Sequence, residues 1–431
     1  MRFPRFPSTH RRAWLFAGLA VIVAIAVGGY AIYEASKPSN SFNAKAPFQA
    51  PTTTTETNTT PNRGPAFSWP LYGYTKTRTR FFAAADPNLN PPFHKDWTFG
   101  GNALLEFPAS IHGADLYFLD DGATAKKVNI NSGKQVWLSH VGKQSAATPA
   151  LDPLTQQLFV PVLSLDSAVI NARNGAFAAL SMRTGHVEWK VPIPSGTESS
   201  PIVVGNSVYF GDQGGTFYSL NIRTGHKNWV FSADGAIKGG ADYYNGDLYF
   251  GTYGGTFYAL NARTGHEVWS QSPGGEFYST PAIEFGDVYV GNNNGAAYAF
   301  VAKNGTTAWT RTLGAYVYSG PAVGDVHGLG PTVYIGSYTG YLYALNAQTG
   351  ATRWSFYADC HCSSTGISGS ATLVGNTVYA STVYSPNTYG VNAVTGKEVF
   401  HYPDGSYTSV VATPNAVFLM GKYQIYKFSK R

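Results

Sequence analysis

Three groups of side chains in this 431-residue chain could do chemistry. The first is Cys360-His361-Cys362, which contains both cysteines of the chain. Two thiols and an imidazole are soft donors, so a soft-metal site is one reading, although the remaining ligands are missing. Outside the cytoplasm thiols oxidise, and a disulfide is the reading the pair favours. In an extended strand an i, i+2 pair shares a face with its Cα atoms ~6.5–7 Å apart, so a disulfide there needs a bend. Two free loop thiols are the third reading. The second group is His186, His226 and His266, each following a Thr-Gly pair. Their regular spacing puts them at equivalent places in successive repeats, too far apart to share an ion, so they read as exposed turn residues. The third is Glu198, Lys238, Glu276, Tyr278, Tyr316 and Tyr318. Opposed charges among aromatics could hold a small ligand or a partner's peptide. They could equally form an ion pair with packing around it. Nothing resembles a nucleophile elbow, a phosphate loop or a Ser/His/Asp set. The glycine pairs at 214–215 and 254–255 open no helix and cradle no phosphate.

The elements that must position these groups come from one repeated sentence. Gly254 to Trp269 reads GGTFYALNARTGHEVW. Phe257 to Leu260 is a strand with the two-residue period of a sheet buried on both faces. Asn261 ends it, because a short amide bonds to backbone two residues on and starts a turn. Gly265 closes the turn with a positive φ, and the chain returns through His266 to Trp269 as an outer strand. Copies end at Trp137, Trp189, Trp229, Trp309, Trp354 and Phe400, always with the aromatic four residues after the turn glycine. A strand-rich period of about 40–45 residues is the mark of a propeller blade. Such a sheet cannot bury its own faces and must stack on its neighbours. The large aromatic would lie between blades against small residues such as Ala259 or Gly390 and bury roughly 200 Å².

Two ends of the pattern are incomplete. Trp97 has no inner strands before it, and the two strands near 417–428 have no outer one after them. Joining them removes an exposed sheet edge. Counting Trp97, Trp137, Trp189, Trp229, Trp269, Trp309, Trp354 and Phe400 predicts an all-β, eight-bladed propeller of four-stranded antiparallel blades. Small residues at 146–148, 199–201, 239–241, 279–281, 319–321 and 368–370 would start the inner strands, where eight strands crowd one axis. The third group above then falls in loops around one mouth of the channel. The irregular stretch 69–92 reads as a lead-in packed on the outside or lower face, and 161–175 as an extended loop of the second blade.

Residues 13–33 form an apolar run, and roughly 20 residues span a ~30 Å hydrocarbon core. Four arginines precede it within residues 1–12. The positive-inside rule then predicts a cytoplasmic tail over 1–12, a single transmembrane signal anchor over 13–33 and an extracytoplasmic remainder. A cleaved signal peptide would have a shorter apolar core. Residues 34–66, rich in Thr and Pro, read as a disordered linker, with the propeller over 67–431. From residue 64 onward 23 Lys+Arg face 22 Asp+Glu. A folded part so nearly neutral has no basic stripe for a phosphate backbone, which argues against nucleic-acid binding.

The repeat small-x-Asn-x-x-Thr-Gly-x-x-x-Trp resembles the docking motif of the pyrroloquinoline-quinone-type, quinoprotein-like propellers, among them BamB-like assembly lipoproteins, over about residues 94–428. The membrane-tethered arrangement looks like actinobacterial members. The family usually has Asp where this chain has Asn221, Asn261, Asn346 and Asn392. The resemblance implies two functions. One is a non-enzymatic, membrane-tethered scaffold or binding propeller for envelope proteins, peptides or glycans, needing no cofactor. The other is a divergent dehydrogenase of alcohols or sugars that uses the quinone (PQQ) with calcium. The dehydrogenase pattern includes adjacent cysteines and a Glu/Asn/Asp calcium set, whereas here Cys360 and Cys362 are separated. Calcium takes six to eight oxygens, and the acids near inner-strand starts are only Glu198 and Glu276, so the first reading is preferred.

Overall fold

In the computed structural model the described residues are 37–51, 66–83, 89–101, 103–166, 174–358, 366–405, 407 and 410–430. They form eight sheets in a ring, each with four antiparallel strands of the propeller pattern, sequential in seven blades and drawn from both chain ends in the eighth. Blade 1 begins at Ser110–His112, blade 2 at Ala150–Asp152, blade 3 at Ile202–Val204 and blade 4 at Asp242–Tyr244. Blades 5 to 8 begin at Ala282–Glu284, Ala322–Val326, Thr372–Val374 and Val410–Thr413. The last blade is closed by Phe93–Gly100, which pairs antiparallel with Gln424–Lys430, Trp97 standing opposite Lys427. The closure expected from the incomplete ends is therefore present. The run 13–33 and the Cys360-His361-Cys362 group lie outside the described residues. Among the described residues no helix is long and apolar enough to cross a membrane.

The repeat builds each blade as its residues dictate. Asn261 Oδ1 accepts from Thr264 N and Thr264 Oγ1, and Gly265 donates to Asn261 O at 2.8 Å with φ +74°. The bulge between Ala259 and Leu260 then sets Trp269 opposite Ala259. Each indole reaches the turn of the next blade. Trp97, Trp137, Trp189, Trp229, Trp269, Trp309 and Trp354 donate Nε1–H to the carbonyls of Ile130, Met182, Ile222, Ala262, Ala302, Ala347 and Ala393, at 2.7 to 3.1 Å. The ring lies flat on the turn glycine: a Cβ on Gly265 would stand 2.7 Å from Trp229 Cδ2. One residue thus needs positive φ and a missing side chain at once.

Two segments before the first blade run differently from the sequence reading. The lead-in, expected on the outside or lower face, instead circles the axis. Ser68–Trp69 pairs with blade 1 and Phe81–Phe82 with blade 7. Between them the carbonyls of Pro70, Lys76, Thr77, Thr79 and Arg80 accept from the inner-strand amides of Leu151, Tyr243, Ile283, Val323 and Leu373. Inner strands are sheet edges, and their amides need acceptors. The lead-in supplies them in blades 2, 4, 5, 6 and 7. Residues 37–51, within the stretch read as linker, lie on blade 5. Ser41 and Phe42 pair with Thr310 and Trp309, and Ala46 and Phe48 pack on the apolar cluster between blades 5 and 6. Trp309 is consequently fully buried.

Candidate functional site

The axis is filled by two arginines of the lead-in. Arg78 donates Nε to Ala241 O at 2.7 Å and Nη2 to Ser200 O at 2.9 Å. Arg80 donates Nη1 to Pro281 O at 3.1 Å and Pro321 O at 2.9 Å. Both side chains are buried. Their acceptors are the carbonyls at inner-strand starts, and the small residues there have a specific reason. A Cβ on Gly240 would meet Arg78 Cζ at 3.0 Å, and one on Gly320 would meet Arg80 Nη2 at 2.7 Å. Asp242 Oδ1 stands 3.3 Å from Arg78 Nε, both groups fully buried. Burial lowers the Arg78 guanidinium to about 10 against the pull of Asp242. Burial raises the Asp242 carboxyl well above the usual range, with Arg78 opposing. Both directions follow from the cost of charge in a dry interior.

Tyr72 closes this plug from above. Its ring stands 4.8 Å from Arg80 Cζ, and its hydroxyl bonds to Ser370 Oγ. Over it opens a cavity of about 270 Å³ at the mouth of the ring. It is lined by Tyr278, Tyr318, Tyr338 and Tyr407 together with Glu106, Phe107 and Lys238. The tyrosines belong to a continuous crescent. Tyr253–Tyr278, Tyr278–Tyr318, Tyr318–Tyr338 and Tyr338–Tyr384 lie 5.9, 5.0, 5.2 and 6.2 Å apart at their centroids. Lys238 Nζ pairs with Glu198 Oε1 at 2.9 Å and sits 4.9 Å from the Tyr253 centroid, so a cation already rests between carboxylate and aromatic face. Glu106 has no ion pair or hydrogen bond to the described residues. Burial first, then Asp121 and Glu198, raise its carboxyl to about 7, with Lys238 opposing.

The structure therefore gathers Lys238, Tyr278 and Tyr318 at the cavity, with Glu198 behind Lys238. Tyr316 stacks on Tyr318 at 5.4 Å but stands out on the rim. Glu276 turns to the neighbouring loop, its Oε2 accepting from Asn293 Nδ2 at 3.0 Å. Sequence reasoning missed Glu106, Tyr338 and Tyr407. Glu106 and Tyr407 lie in the loops that lead into blades 1 and 8, where the repeat is broken by the closure. Tyr338 lies in the turn between the second and third strands of blade 6, and the same turn in other blades also faces the mouth. His186, His226 and His266 sit at separate turns, as expected.

The resemblance to quinoprotein-like propellers raises the question of calcium. Among the described residues no group of three or more His, Cys, Asp or Glu could hold a metal ion. Beneath the mouth cavity the axis presents guanidinium groups. That donor set does not fit calcium.

The comparisons agree with this architecture. The family model described as outer membrane protein assembly factor BamB matches residues 120–241 and 232–431. No curated protein matches the chain. Among solved structures, BamB from Moraxella catarrhalis superposes with a TM-score of 0.63 at 15% identity, covering 79% of this chain and 98% of that one. A europium-containing methanol dehydrogenase superposes with a TM-score of 0.68 at 12% identity, covering 84% and 98%. At such identities the likeness is one of fold.

Proposed function

We propose, from the premise that this chain belongs to the propeller family described as outer membrane protein assembly factor BamB, that it is a non-enzymatic recognition module. It is tethered outside the cytoplasmic membrane by residues 13–33 and captures a segment of an envelope protein in its mouth. The observation that carries this is the construction of the axis. The chain fills its own channel with Arg78, Arg80 and Tyr72 and leaves above them a shallow chamber of tyrosine and carboxylate. Aromatic faces with a few placed polar groups bind peptide side chains without needing a reactive centre. Glu106, half-buried and without an ion pair among the described residues, Lys238 being held by Glu198, favours a segment that brings a basic side chain. The same chamber has no calcium donor set among the described residues, which weighs against quinone chemistry, so the protein is read as working without a cofactor.

Two measurements separate this reading from a dehydrogenase. Adding the quinone with calcium to the purified chain should leave its melting temperature unchanged and reduce no dye with alcohols or sugars. A stabilised fold with dye reduction would overturn the reading. Crosslinking in intact cells should recover an envelope protein, and Glu106→Gln should cut that yield at least fivefold while leaving the melt intact. An unchanged yield would remove the mouth from the account.

A further inference from the structure

With residues 13–33 taken as the anchor, the path of residues 37–51 bears on which face of the ring looks at the membrane. Pro38 O accepts from Thr312 Oγ1, and Asn40 Oδ1 from Thr312 N at 2.7 Å. Thr312 is the last residue of the outer strand of blade 5, at its mouth end, four residues before Tyr316. From there the chain runs antiparallel to that strand. Asn43 N bonds to Ala308 O, and Gln49 N bonds to Phe285 O in a turn on the opposite face. The chain thus arrives at the mouth side of blade 5 and leaves at the lower side. Only residues 34–36 separate Lys37 from the apolar run that ends at Tyr33. Four Cα–Cα steps reach at most about 15 Å. No long spacer stands between the bilayer and the mouth rim.

A second observation points the same way. All six exposed tyrosines of the described residues stand on the mouth side: Tyr316, Tyr341, Tyr357, Tyr384, Tyr407 and Tyr423, exposed by 37 to 61%. They fall on one sector, from the loop after blade 5 round to blade 8. The opposite sector of the mouth carries the carboxylates Asp121, Asp234 and Glu276, with Glu198 there paired by Lys238. Among the described residues of the tyrosine sector the acid is Asp404, and it is occupied by Gly405 N, Lys422 N and Tyr426 OH. Tyrosine has an apolar body and a polar tip and settles at the headgroup level of a bilayer. Carboxylates are repelled by an anionic surface.

We propose that the propeller sits tilted on its own membrane, with the tyrosine sector of blades 5 to 8 resting in the headgroup layer and the acidic sector lifted away. The tilt keeps the mouth half open toward the membrane surface, so the segment it takes emerges from or lies along the bilayer. This deepens the recognition reading and rests on residues 13–33 as an anchor.

The test uses the full chain in liposomes of phosphatidylethanolamine and phosphatidylglycerol that carry a photoactivatable lipid. Lipid adducts mapped by mass spectrometry should concentrate in the peptides of Tyr316, Tyr341, Tyr384 and Tyr423, at least fivefold over the lower-face turns at Leu154, Asn206 and Asn245. Replacing Tyr316, Tyr384, Tyr407 and Tyr423 together by Ser should remove that excess without changing the melt or the co-flotation. A chain that floats but labels evenly or on the lower face overturns the tilted seat. A chain that does not float overturns its premise. Protein adducts replacing lipid adducts on these tyrosines in intact cells would also overturn it. The Glu106→Gln variant keeps the recognition reading separate: it should lose partner capture and keep the lipid adducts.

Discussion

Asp287 shows how much one side chain without a partner matters in this fold. Its carboxyl is 1% exposed, and Oδ1 has no hydrogen-bond partner among the described residues. Burial raises it from 3.8 to about 7. The folded state therefore holds the proton more tightly than the unfolded one. The stability tied to that proton is complete below pH ~3.8 and is lost as pH rises through about 7. Asp287→Asn removes the charge at nearly constant shape. It should stabilise the protein at pH 8 by on the order of 2–4 kcal/mol, by less at pH 5, and not at all below the unfolded value. Urea midpoints at the three pH values test the sign, and a variant that loses stability at pH 8 would refute it. Arg78 is the opposite case, a buried charge with its partners in place. Arg78→Ala strands the Asp242 carboxylate and the carbonyls of Ala241 and Ser200. Removing one member of a buried pair costs about 3–5 kcal/mol. Arg78→Ala combined with Asp242→Ala should cost less than the sum of the two single changes, since the charge left behind is gone. Strict additivity in a denaturation cycle would argue against a paired plug.

The blade interface is where sequence and structure meet most directly, and its weight can be measured. Gly265 carries φ +74° and lies under Trp229, whereas Gly205 carries φ +58° with nothing within 4 Å of a Cβ. Gly205→Ala reports the backbone cost alone, about 1 kcal/mol. Gly265→Ala adds displacement of the indole and should cost at least 1 kcal/mol more. Equal losses would mean that the ring-on-glycine contact contributes nothing. This contact was legible because it recurs: the turn glycine and the aromatic keep one spacing in seven copies, with Thr before the glycine in five. Phe400 was legible as a copy, but its missing indole nitrogen was not. The structure supplies the reason. Blade 8 joins Lys430 to Phe93 across the chain ends, so it has no Asn-x-x-Thr-Gly turn whose carbonyl could receive an indole N–H. Phe400 packs on Phe93 and Phe428 instead, at 5.7 and 5.6 Å. The lead-in was not legible for a different reason. Its partners are edge amides scattered from Leu151 to Leu373, and no local period encodes such a path. The alternation in Thr75-Lys76-Thr77-Arg78-Thr79-Arg80 was the available signal, and without a period shared with the blades it reads as an irregular lead-in. The mouth was half legible: Lys238, Tyr278 and Tyr318 stand at repeated inner-strand starts, whereas Glu106 and Tyr407 stand where the repeat breaks.

At the scale of the whole ring, the question is what holds the two chain ends together. Phe93–Gly100 and Gln424–Lys430 pair through seven register positions, and two kinds of contact add to the ladder. One is electrostatic: Lys427 Nζ lies 3.0 Å from Asp96 Oδ2, and Ser429 Oγ donates to Asp96 Oδ1 at 2.7 Å. Burial pushes the Asp96 carboxyl up, but the bonds from Ser429 and Lys427 outweigh it and hold the group below its usual value. Its contribution is present above pH ~3.8 and fades in acid. The other is Trp97, which packs on Gly133 and donates to Ile130 O, tying blade 8 to blade 1. An exposed ion pair is worth about 0–1 kcal/mol, and truncating a packed indole about 3–5 kcal/mol. Asp96→Asn should therefore leave a single sharp unfolding transition almost in place. Trp97→Ala should open the ring at its seam. Each blade depends on neighbours on both sides, so an opened ring loses cooperativity as well as stability. The denaturation curve should broaden, with blades 8 and 1 gaining amide exchange before blades 4 and 5. A Trp97→Ala curve that shifts without broadening, with exchange rising evenly round the ring, would mean that strand pairing alone closes it.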